Sequence, residues 1–474
     1  MTQADRPVRP GTTGAARRPR QSPTELNLTF ADEATTRRQS TDLAEPEWLL
    51  VDRLAALAAF AALPVESNAL YTTYLDLRNA RLADVAPAMP ELARRVRPEG
   101  ASGDLPEGAA GLIEIGEQGV SQLVLSRDAA KAGVVMETLA AFAARDTAGF
   151  QQSIEGGATL PEADKLAQLT RALWSQGIHV AVPAGLRLEQ PILVRWLLGR
   201  PGSAVVTRTL IEVGEDAEAH VIEELEAYRP AVACAEGEEV PQAFFSGTSE
   251  VRLAAGAQLS MGSLQNFSID EVAFIHRHAS IGPAAGLHWA LAQLGGRLVR
   301  SRVDNRLEGN GSSVEQVEIV FGSEDQLFDL TSFTRHIGRD TTGNLLSKGV
   351  LKDAARSFMK GLITIEKSAI GTDSFLGEFG MNLSRQARAV AIPSLEIDQP
   401  DCRRAMHSSS VGPIDESQLF YLESRGIAPD DARKFIVLGF LEPVVARMPL
   451  ESARDRLREL LEAKWDAARQ AAVA

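Results

Sequence analysis

The stretch Ile211-Glu-Val-Gly-Glu-Asp-Ala217 joins an apolar run to a short turn that ends in a small residue. In a parallel β-solenoid, each rung places a short strand above the last, and small residues turn the corners. The same loose pattern recurs at irregular intervals, in Leu253-Ala-Ala-Gly-Ala257, Ile281-Gly-Pro-Ala-Ala-Gly286, Leu351-Lys-Asp-Ala-Ala355 and Lys367-Ser-Ala-Ile-Gly371. This recurrence favours a β-solenoid as the core of the chain.

Short apolar or alternating segments dominate residues 179–400, with no clear helices between them. They include Thr207–Val213, Val251–Leu253, Leu259–Met261, Phe274–His278, Val317–Phe321 and Leu362–Ile365. A β-sandwich is the structural alternative. It would favour several Asn-Gly or Asp-Gly hairpin turns, and only Asn310-Gly311 qualifies in this range. The pattern therefore favours a parallel β-helix core over 179–400 and leaves the sandwich open.

Helical patterns flank this core. The composition of residues 1–45 predicts a disordered tail, and the apolar spacing in residues 46–178 predicts a helical or mixed α/β domain. Within that domain we expect helices from Pro46 to Pro64, from Asp128 through Phe142, and from Pro161 to a C′ glycine at Gly177. Residues 401–474 predict a helical C-terminal domain, in which Asp415 caps the first helix and Pro429 begins the next.

Composition excludes several classes of function. The 474 residues carry a net charge of −14, which repels nucleic acid and anionic membranes. Two cysteines, Cys234 and Cys402, are too few for a disulfide framework or for a cluster held by four thiolates of this chain. We find no apolar run long enough for a signal peptide or a membrane span, so we expect a cytoplasmic protein.

Two sequence patterns could indicate an enzyme, and each has a simpler interpretation, as a turn or as a solvated acidic face. Residues 338–343 have the glycine spacing of a P-loop, but Asn344 stands where a lysine must neutralise phosphate. The chain therefore lacks an ATP site of its own. Acidic side chains in the core could provide the acid/base pair of a β-solenoid carbohydrate-active enzyme, and this stays a less favoured alternative. The candidates are Asp304, Glu308, Glu315 and Glu318.

Two histidine patterns are candidates for metal binding. His276 and His278 lie two apart in a predicted strand and would face the same side, but no third ligand is evident, so surface or interface histidines are favoured. Cys402 and His407 lie at the junction of the core and the C-terminal domain. A thiolate and an imidazole suit iron or a nascent iron–sulfur cluster. Two ligands do not complete a site, so spacing alone favours a structural pair.

Four segments resemble the SufB/SufD family of iron–sulfur cluster assembly proteins. They are Ala172–Gly185, Pro393-Ser-Leu-Glu-Ile397, His407-Ser-Ser-Ser-Val-Gly-Pro-Ile-Asp415 and Leu419-Phe-Tyr-Leu-Glu-Ser-Arg-Gly-Ile427. The resemblance covers roughly residues 165–445 and is stronger to the SufD branch, which is poorer in cysteine. It implies a right-handed parallel β-helix between helical ends. It also implies a non-catalytic scaffold, with a SufB-like scaffold that itself holds the cluster as the alternative.

The resemblance further implies partners. A SufB-like paralogue would bind through the β-helix, and a SufC-like ATPase, the only source of ATP hydrolysis, would bind the C-terminal helices. His407 matches the family histidine at the interface of the two scaffold subunits, where iron or a nascent cluster would form. Cys402 is a weaker ligand candidate because Ala405 stands where some members have cysteine. The partner-binding candidates are Phe420, Tyr421, Arg425, Gly426, Phe435 and Phe440.

Overall fold

The computed structural model describes residues 22–90, 104–155, 159–227, 240–449 and 451–473, with side chains as far as Asp466. Its strands are β1 (Ala86–Pro87), β2 (Gly111–Gly116), β3 (Gly119–Leu125), β4 (Val135–Thr138), β5 (Gln176–Val182), β6 (Ile192–Leu198), β7 (Ser203–Val213), β8 (Glu218–Ala227), β9 (Ala243–Leu253), β10 (Gln258–Asn266), β11 (Glu271–Ile281), β12 (Gly286–Gln293), β13 (Leu298–Leu307), β14 (Ser313–Gly322), β15 (Leu327–His336), β16 (Thr342–Leu351), β17 (Arg356–Ile365), β18 (Asp373–Asn382), β19 (Arg388–Ile397) and β20 (Arg404–Gly412).

Helices lie before and after these strands. They are α1 (Glu33–Asp42), α2 (Glu47–Ala62), α3 (Arg127–Lys131), α4 (Leu139–Arg145), α5 (Thr147–Ile154), α6 (Lys165–Leu173), α7 (Glu416–Ser424), α8 (Pro429–Val445) and α9 (Glu451–Val473). A short 3₁₀ turn spans Thr72–Tyr74. In the part of the chain that the structure covers, no helix combines the length and apolar character that crossing a membrane requires.

Alternate strands build two sheets that are parallel except at one end, where β2 and β3, and likewise β4 and β5, pair antiparallel. The first sheet runs β19-β17-β15-β13-β11-β9-β7-β5-β4, and the second runs β20-β18-β16-β14-β12-β10-β8-β6-β2-β3. From β5 and β6 to β19 and β20, each rung contributes one strand to each sheet, which gives a solenoid of about eight turns. The predicted parallel β-solenoid is confirmed, and every short segment singled out in the sequence lies within a strand.

At one corner of the solenoid, backbone hydrogen bonds link each rung to the next. At each level one residue has a positive φ, and its N–H donates to a carbonyl of the next corner, as Asp216 does to Ala255 at 2.9 Å and Gly256 to Pro283 at 2.8 Å. Glycine and aspartate adopt this conformation more readily than most residues, which explains the small turn residues of the sequence. The column consists of Gly185, Asp216, Gly256, Ala284, Gly311, Asp340 and Gly371.

Three apolar layers hold the fold together. The lumen between the sheets is filled by side chains such as Trp196, Ile275 and Trp289, all of them buried. The outer face of the first sheet is covered by the N-terminal helices, and the outer face of the second by α8 and α9. Over the middle rungs each sheet is therefore buried on both faces, which is typical of parallel sheets.

The N-terminal region differs from the sequence prediction in three places. We expected a disordered tail over 1–45; residues 1–21 lie outside the described residues, but residues 33–42 form α1 because Asp32 caps it and Gln39 donates to Trp174 O at 2.7 Å. The helix expected through Phe142 is interrupted by β4, since Gly133 with φ +88° ends α3. Gly177 is not a C′ residue, because it lies within β5. The division into domains stays a prediction.

Candidate functional site

The last rung leaves one end of the solenoid open. Strands β19 and β20 each pair on one side, with β17 and β18, and no described strand covers their other edge. Most residues of β20 are exposed, in contrast to the almost fully buried strands of the middle rungs. Unpaired edge strands present backbone N–H and C=O groups that can pair with another chain.

His407 lies at this open end. Its Cα partner on β18 is Leu376, which is buried in a lumen cluster with Leu345 and Ile363. Side chains of paired residues in a parallel sheet point to the same face, so His407 stands on the lumen side above Leu376. His407 is nevertheless exposed, because no further rung covers it.

Cys402 lies close to the same cluster. Its side chain is half-buried and packs, with Ala405, against the group that contains Leu376. Cys402 packs against this lumen cluster, and His407 pairs in register with its member Leu376. Among the residues that the structure describes, no three His, Cys, Asp or Glu side chains are placed to hold a metal ion. A role for either residue as a ligand stays a prediction.

A buried carboxyl near the open end was missed by the sequence analysis. Glu378 on β18 is 1% exposed and pairs in register with Ser409 of β20. Its Oε2 accepts the backbone N–H of Ile392 at 2.8 Å. Burial raises the pKa of Glu378 to about 8, although the Ile392 hydrogen bond opposes this shift. Only the solenoid register reveals its position, because the local sequence reads as an ordinary strand.

Most exposed large apolar side chains lie in two groups after residue 396, which we call patches. The open-end patch comprises Ile397 at the end of β19 with Met406 and Val411 on the two faces of β20, and the helical patch comprises Phe420, Tyr421 and Phe435 on α7 and α8. The exposed fraction of Phe420 reaches 73%. The remaining exposed large hydrophobic side chains of the described residues are Val51 and Leu70, so most of this apolar exposure lies in the two patches.

The predicted partner-binding residues fall into two groups. Phe420, Tyr421 and Phe435 are exposed, and so are Arg425, whose guanidinium lies 5.2 Å from the Tyr421 ring centroid, and Gly426, which ends α7 with φ +86°. Phe440 differs, because it is partly buried against the C-terminal core. Lys348 Nζ donates to Phe440 O at 3.0 Å and lies 4.5 Å from its ring centroid.

The histidine pair of β11 is not on the surface. His276 and His278 do share one face, with ring centroids 6.2 Å apart, but both are buried beneath the N-terminal region. His276 Nδ1 lies 3.7 Å from Asp164 Oδ1, and His278 Nδ1 lies 2.8 Å from Asp304 Oδ2. Burial lowers the pKa of His276 to about 3. The expectation of surface or interface histidines was wrong.

The four carboxylates considered for a hydrolase are not a free pair. Arg306 Nε donates to Glu308 at 2.8 Å, and Arg447 Nε donates to Glu315 at 2.6 Å on the other sheet. Glu318 is buried in the lumen, where Ser301 Oγ donates to it at 2.6 Å. Burial raises the pKa of Asp304, but Arg302 and His278 outweigh it, and the net shift is downward. Nothing in this arrangement favours glycoside hydrolysis, which needs one carboxyl with a raised pKa beside a second, ionised one.

Comparisons with known proteins agree with the resemblance noted in the sequence. The family model described as "SUF system FeS cluster assembly, SufBD core domain" matches residues 197–440. The iron-sulfur cluster assembly protein SufD of Bacillus subtilis (strain 168) is 28% identical over 432 residues, which cover 89% of this chain and 94% of that protein. The SufBD family protein SAR0880 of Staphylococcus aureus (strain MRSA252) is 26% identical over 295 residues, with 62% of this chain and 61% of the relative covered.

Proposed function

This chain belongs to the family of SUF-system iron–sulfur cluster assembly proteins that share the SufBD core domain, and we propose that it is a SufD-like, non-catalytic scaffold subunit of an assembly complex. The observation that carries the proposal is the open last rung, where His407 and an apolar patch face solvent at an unpaired sheet edge. We place the complex in the cytoplasm, because two cysteines without a disulfide framework suit a reducing compartment.

The first proposed partner is a SufB-like paralogue that binds the open end. Edge strands β19 and β20 could extend into a partner's sheets by backbone hydrogen bonds. Ile397, Met406 and Val411 would then be removed from water, and their burial would contribute affinity. The same contact would bring a second chain next to His407.

The second proposed partner is a SufC-like ATPase that binds the helical patch. Exposed aromatic side chains are frequent energetic anchors of protein interfaces, and Phe420, Tyr421 and Phe435 supply three of them. ATP hydrolysis has to come from this partner, because Asn344 replaces the lysine of a P-loop. ATP hydrolysis would move the two scaffold subunits relative to each other through α7 and α8.

Iron or a nascent cluster is the proposed cargo of the interface between the two scaffolds. His407 would provide an imidazole ligand, and the SufB-like partner would provide softer thiolate ligands. A chain that holds the whole cluster alone is not favoured, because it has two cysteines and Cys402 is half-buried against an apolar cluster.

Co-expression tests the proposal. This chain, carrying an affinity tag, is produced with the SufB-like and SufC-like proteins of the same organism, and the purified material is analysed for composition and mass. A stable complex that contains all three chains, and that assembles clusters only with ATP, is expected. Recovery of this chain alone under all salt conditions, or cluster assembly by the isolated chain, would refute it.

A further inference from the structure

We infer that Glu378 supplies a carboxylate ligand to ferrous iron at the open end of the solenoid, beside His407. This inference rests on the proposed function and deepens it, because it adds an oxygen donor from this chain to the site. The support comes from the register of the last rungs, from the contacts of the buried carboxyl, and from the absence of a cationic partner among the described residues.

The register places Glu378 and His407 on the same face of adjacent strands. On β18 and β20, Leu376 pairs with His407 and Glu378 pairs with Ser409. Leu376 and Glu378 are two residues apart on one strand, so both face the lumen. Glu378 and His407 are therefore diagonal neighbours on adjacent strands, a relationship within reach of long side chains. Only the small residue Ser409 lies between Glu378 and the open end in its ladder.

The carboxyl extends across the lumen. A Cβ atom at Gly361, on the facing strand β17, would lie 2.9 Å from Glu378 Oε1, so glycine leaves the space that the carboxyl needs. Oε2 meets β19 at the N–H of Ile392, immediately before Pro393, which has no N–H of its own. The carboxyl thus contacts the strands of the last two rungs.

Several buried carboxylates of this fold have a cationic partner, although Glu271, like Glu378, has none among the described residues. Glu223 lies 2.5 Å from Arg277, and Glu250 lies 2.7 Å from Arg208. Glu378 receives no such ion pair from any Lys, Arg or His that the structure describes. Burying an uncompensated carboxyl is costly, and its raised pKa reflects that cost. A divalent cation would supply the missing positive charge.

Iron binding to Glu378 would release one proton and transfer no electron. In the absence of metal at neutral pH, Glu378 holds a proton. When its oxygen donates to Fe²⁺, the O–H bond breaks, the proton passes to solvent and no electron is transferred. Carboxylate and imidazole are both established donors to ferrous iron in proteins, and the remaining positions are open to ligands of the partner.

Glu318 provides a matched control. Glu318, Ser347, Glu378 and Ser409 pair successively across β14, β16, β18 and β20, so the two glutamates share one ladder. Glu318 lies deeper, and Ser301 and Gln293 both donate to it. Burial raises the pKa of Glu318 as well. Glu318→Gln therefore changes a similar buried carboxyl that is remote from the open end.

The experiment titrates Fe²⁺ alone, without oxygen, into the purified complex and measures bound iron by equilibrium dialysis. Glu378→Gln is expected to weaken binding at the interface by at least about tenfold, the usual effect of disturbing a metal site, whereas Glu318→Gln binds as the wild type does.

The outcomes separate the inference from the proposed function. If the wild-type chains do not associate, the proposed function itself fails. If the complex forms and Glu378→Gln binds iron as the wild type does, only the inference fails. Loss of association in Glu378→Gln alone, measured by the same copurification, would also overturn it, because the carboxyl would then hold the interface and not the metal.

Discussion

Arg208 and Glu250 form an ion pair between β7 and β9 in which Nε donates to Oε1 at 2.7 Å, with the two side chains 1% and 0% exposed. Burial raises the pKa of Glu250, but Arg208 outweighs it and the net shift is downward. The pair lies on the outer face of the first sheet, where the N-terminal region covers it. Arg208 Nη1 also donates to Ile154 O at 3.5 Å, so the pair contacts the N-terminal layer.

Removing one member of this pair should destabilise the fold strongly. Glu250→Gln removes the buried carboxylate charge that pairs with Arg208, so we expect the free energy of unfolding to fall by about 3–5 kcal/mol, measured by urea denaturation. The exposed pair of Arg37 and Glu33 serves as a control, since Glu33→Gln should cost less than about 1 kcal/mol. Equal effects of the two substitutions would contradict this account.

Acid should destabilise the fold through His276. Its pKa is about 3 in the folded chain, where burial is the largest cause, against about 6.5 when unfolded. The unfolded chain binds the proton first, so this contribution to stability is complete above pH 6.5 and is lost as the pH falls towards 3. From pH 7.5 to 4.5 the loss should be about 2–3 kcal/mol.

The test compares wild type with His276→Gln by urea denaturation at both pH values. Asp164, His278, Arg300 and Arg302 face His276 and are all retained in the variant, so the comparison changes only the imidazole. The wild type should lose more stability on acidification than the variant. Identical pH dependence would show that His276 does not control this loss.

The sequence predicted the solenoid because the signal is local. Short strands and small corner residues such as Gly256 appear directly in the chain, and so does the cap at Asp415, which accepts the N–H of Ser417 at 2.8 Å. The family motif at His407 likewise needed no knowledge of distant contacts. These features could be predicted because neighbouring residues alone determine them.

Features that depend on contacts between distant parts of the chain could not be predicted. Strand alternation predicts one buried and one exposed face, yet β11 is buried on both, so His276 and His278 were assigned to the wrong environment. The position of Glu378 depends on the register between β18 and β20. The spacing of Val135, Leu139 and Phe142 imitated a helix, although pairing with β5 makes Val135–Thr138 a strand.

The two exposed patches should separate the two partners. Val411→Asp is expected to weaken association with the SufB-like chain by at least about tenfold and to leave ATPase binding unchanged, because it places a charge only in the open-end patch. Phe420→Asp should do the reverse. Both are measured by copurification and by titration calorimetry.

The control for this pair is Val51→Asp, which alters an exposed apolar side chain of α2 outside both patches. It should bind both partners as the wild type does. If Val411→Asp and Phe420→Asp each weakened both partners to the same extent, the patches would not be separate docking surfaces.

His407 should matter for cluster formation and not for assembly of the complex. Its side chain is exposed on the lumen side of β20, above the packed Leu376, so His407→Ala removes an imidazole without opening a cavity in the described core. We expect an intact three-component complex in which the initial rate of cluster formation, followed by absorbance, falls at least about tenfold. Ser408→Ala is the matched control, because the adjacent residue of the same strand points to the opposite face.

An unchanged rate in His407→Ala would reduce His407 to a solvated residue at the edge, whereas loss of the complex would make it an interface contact. Only a slow but fully assembled complex fits a ligand role, since a ligand acts on the cargo after the chains have met.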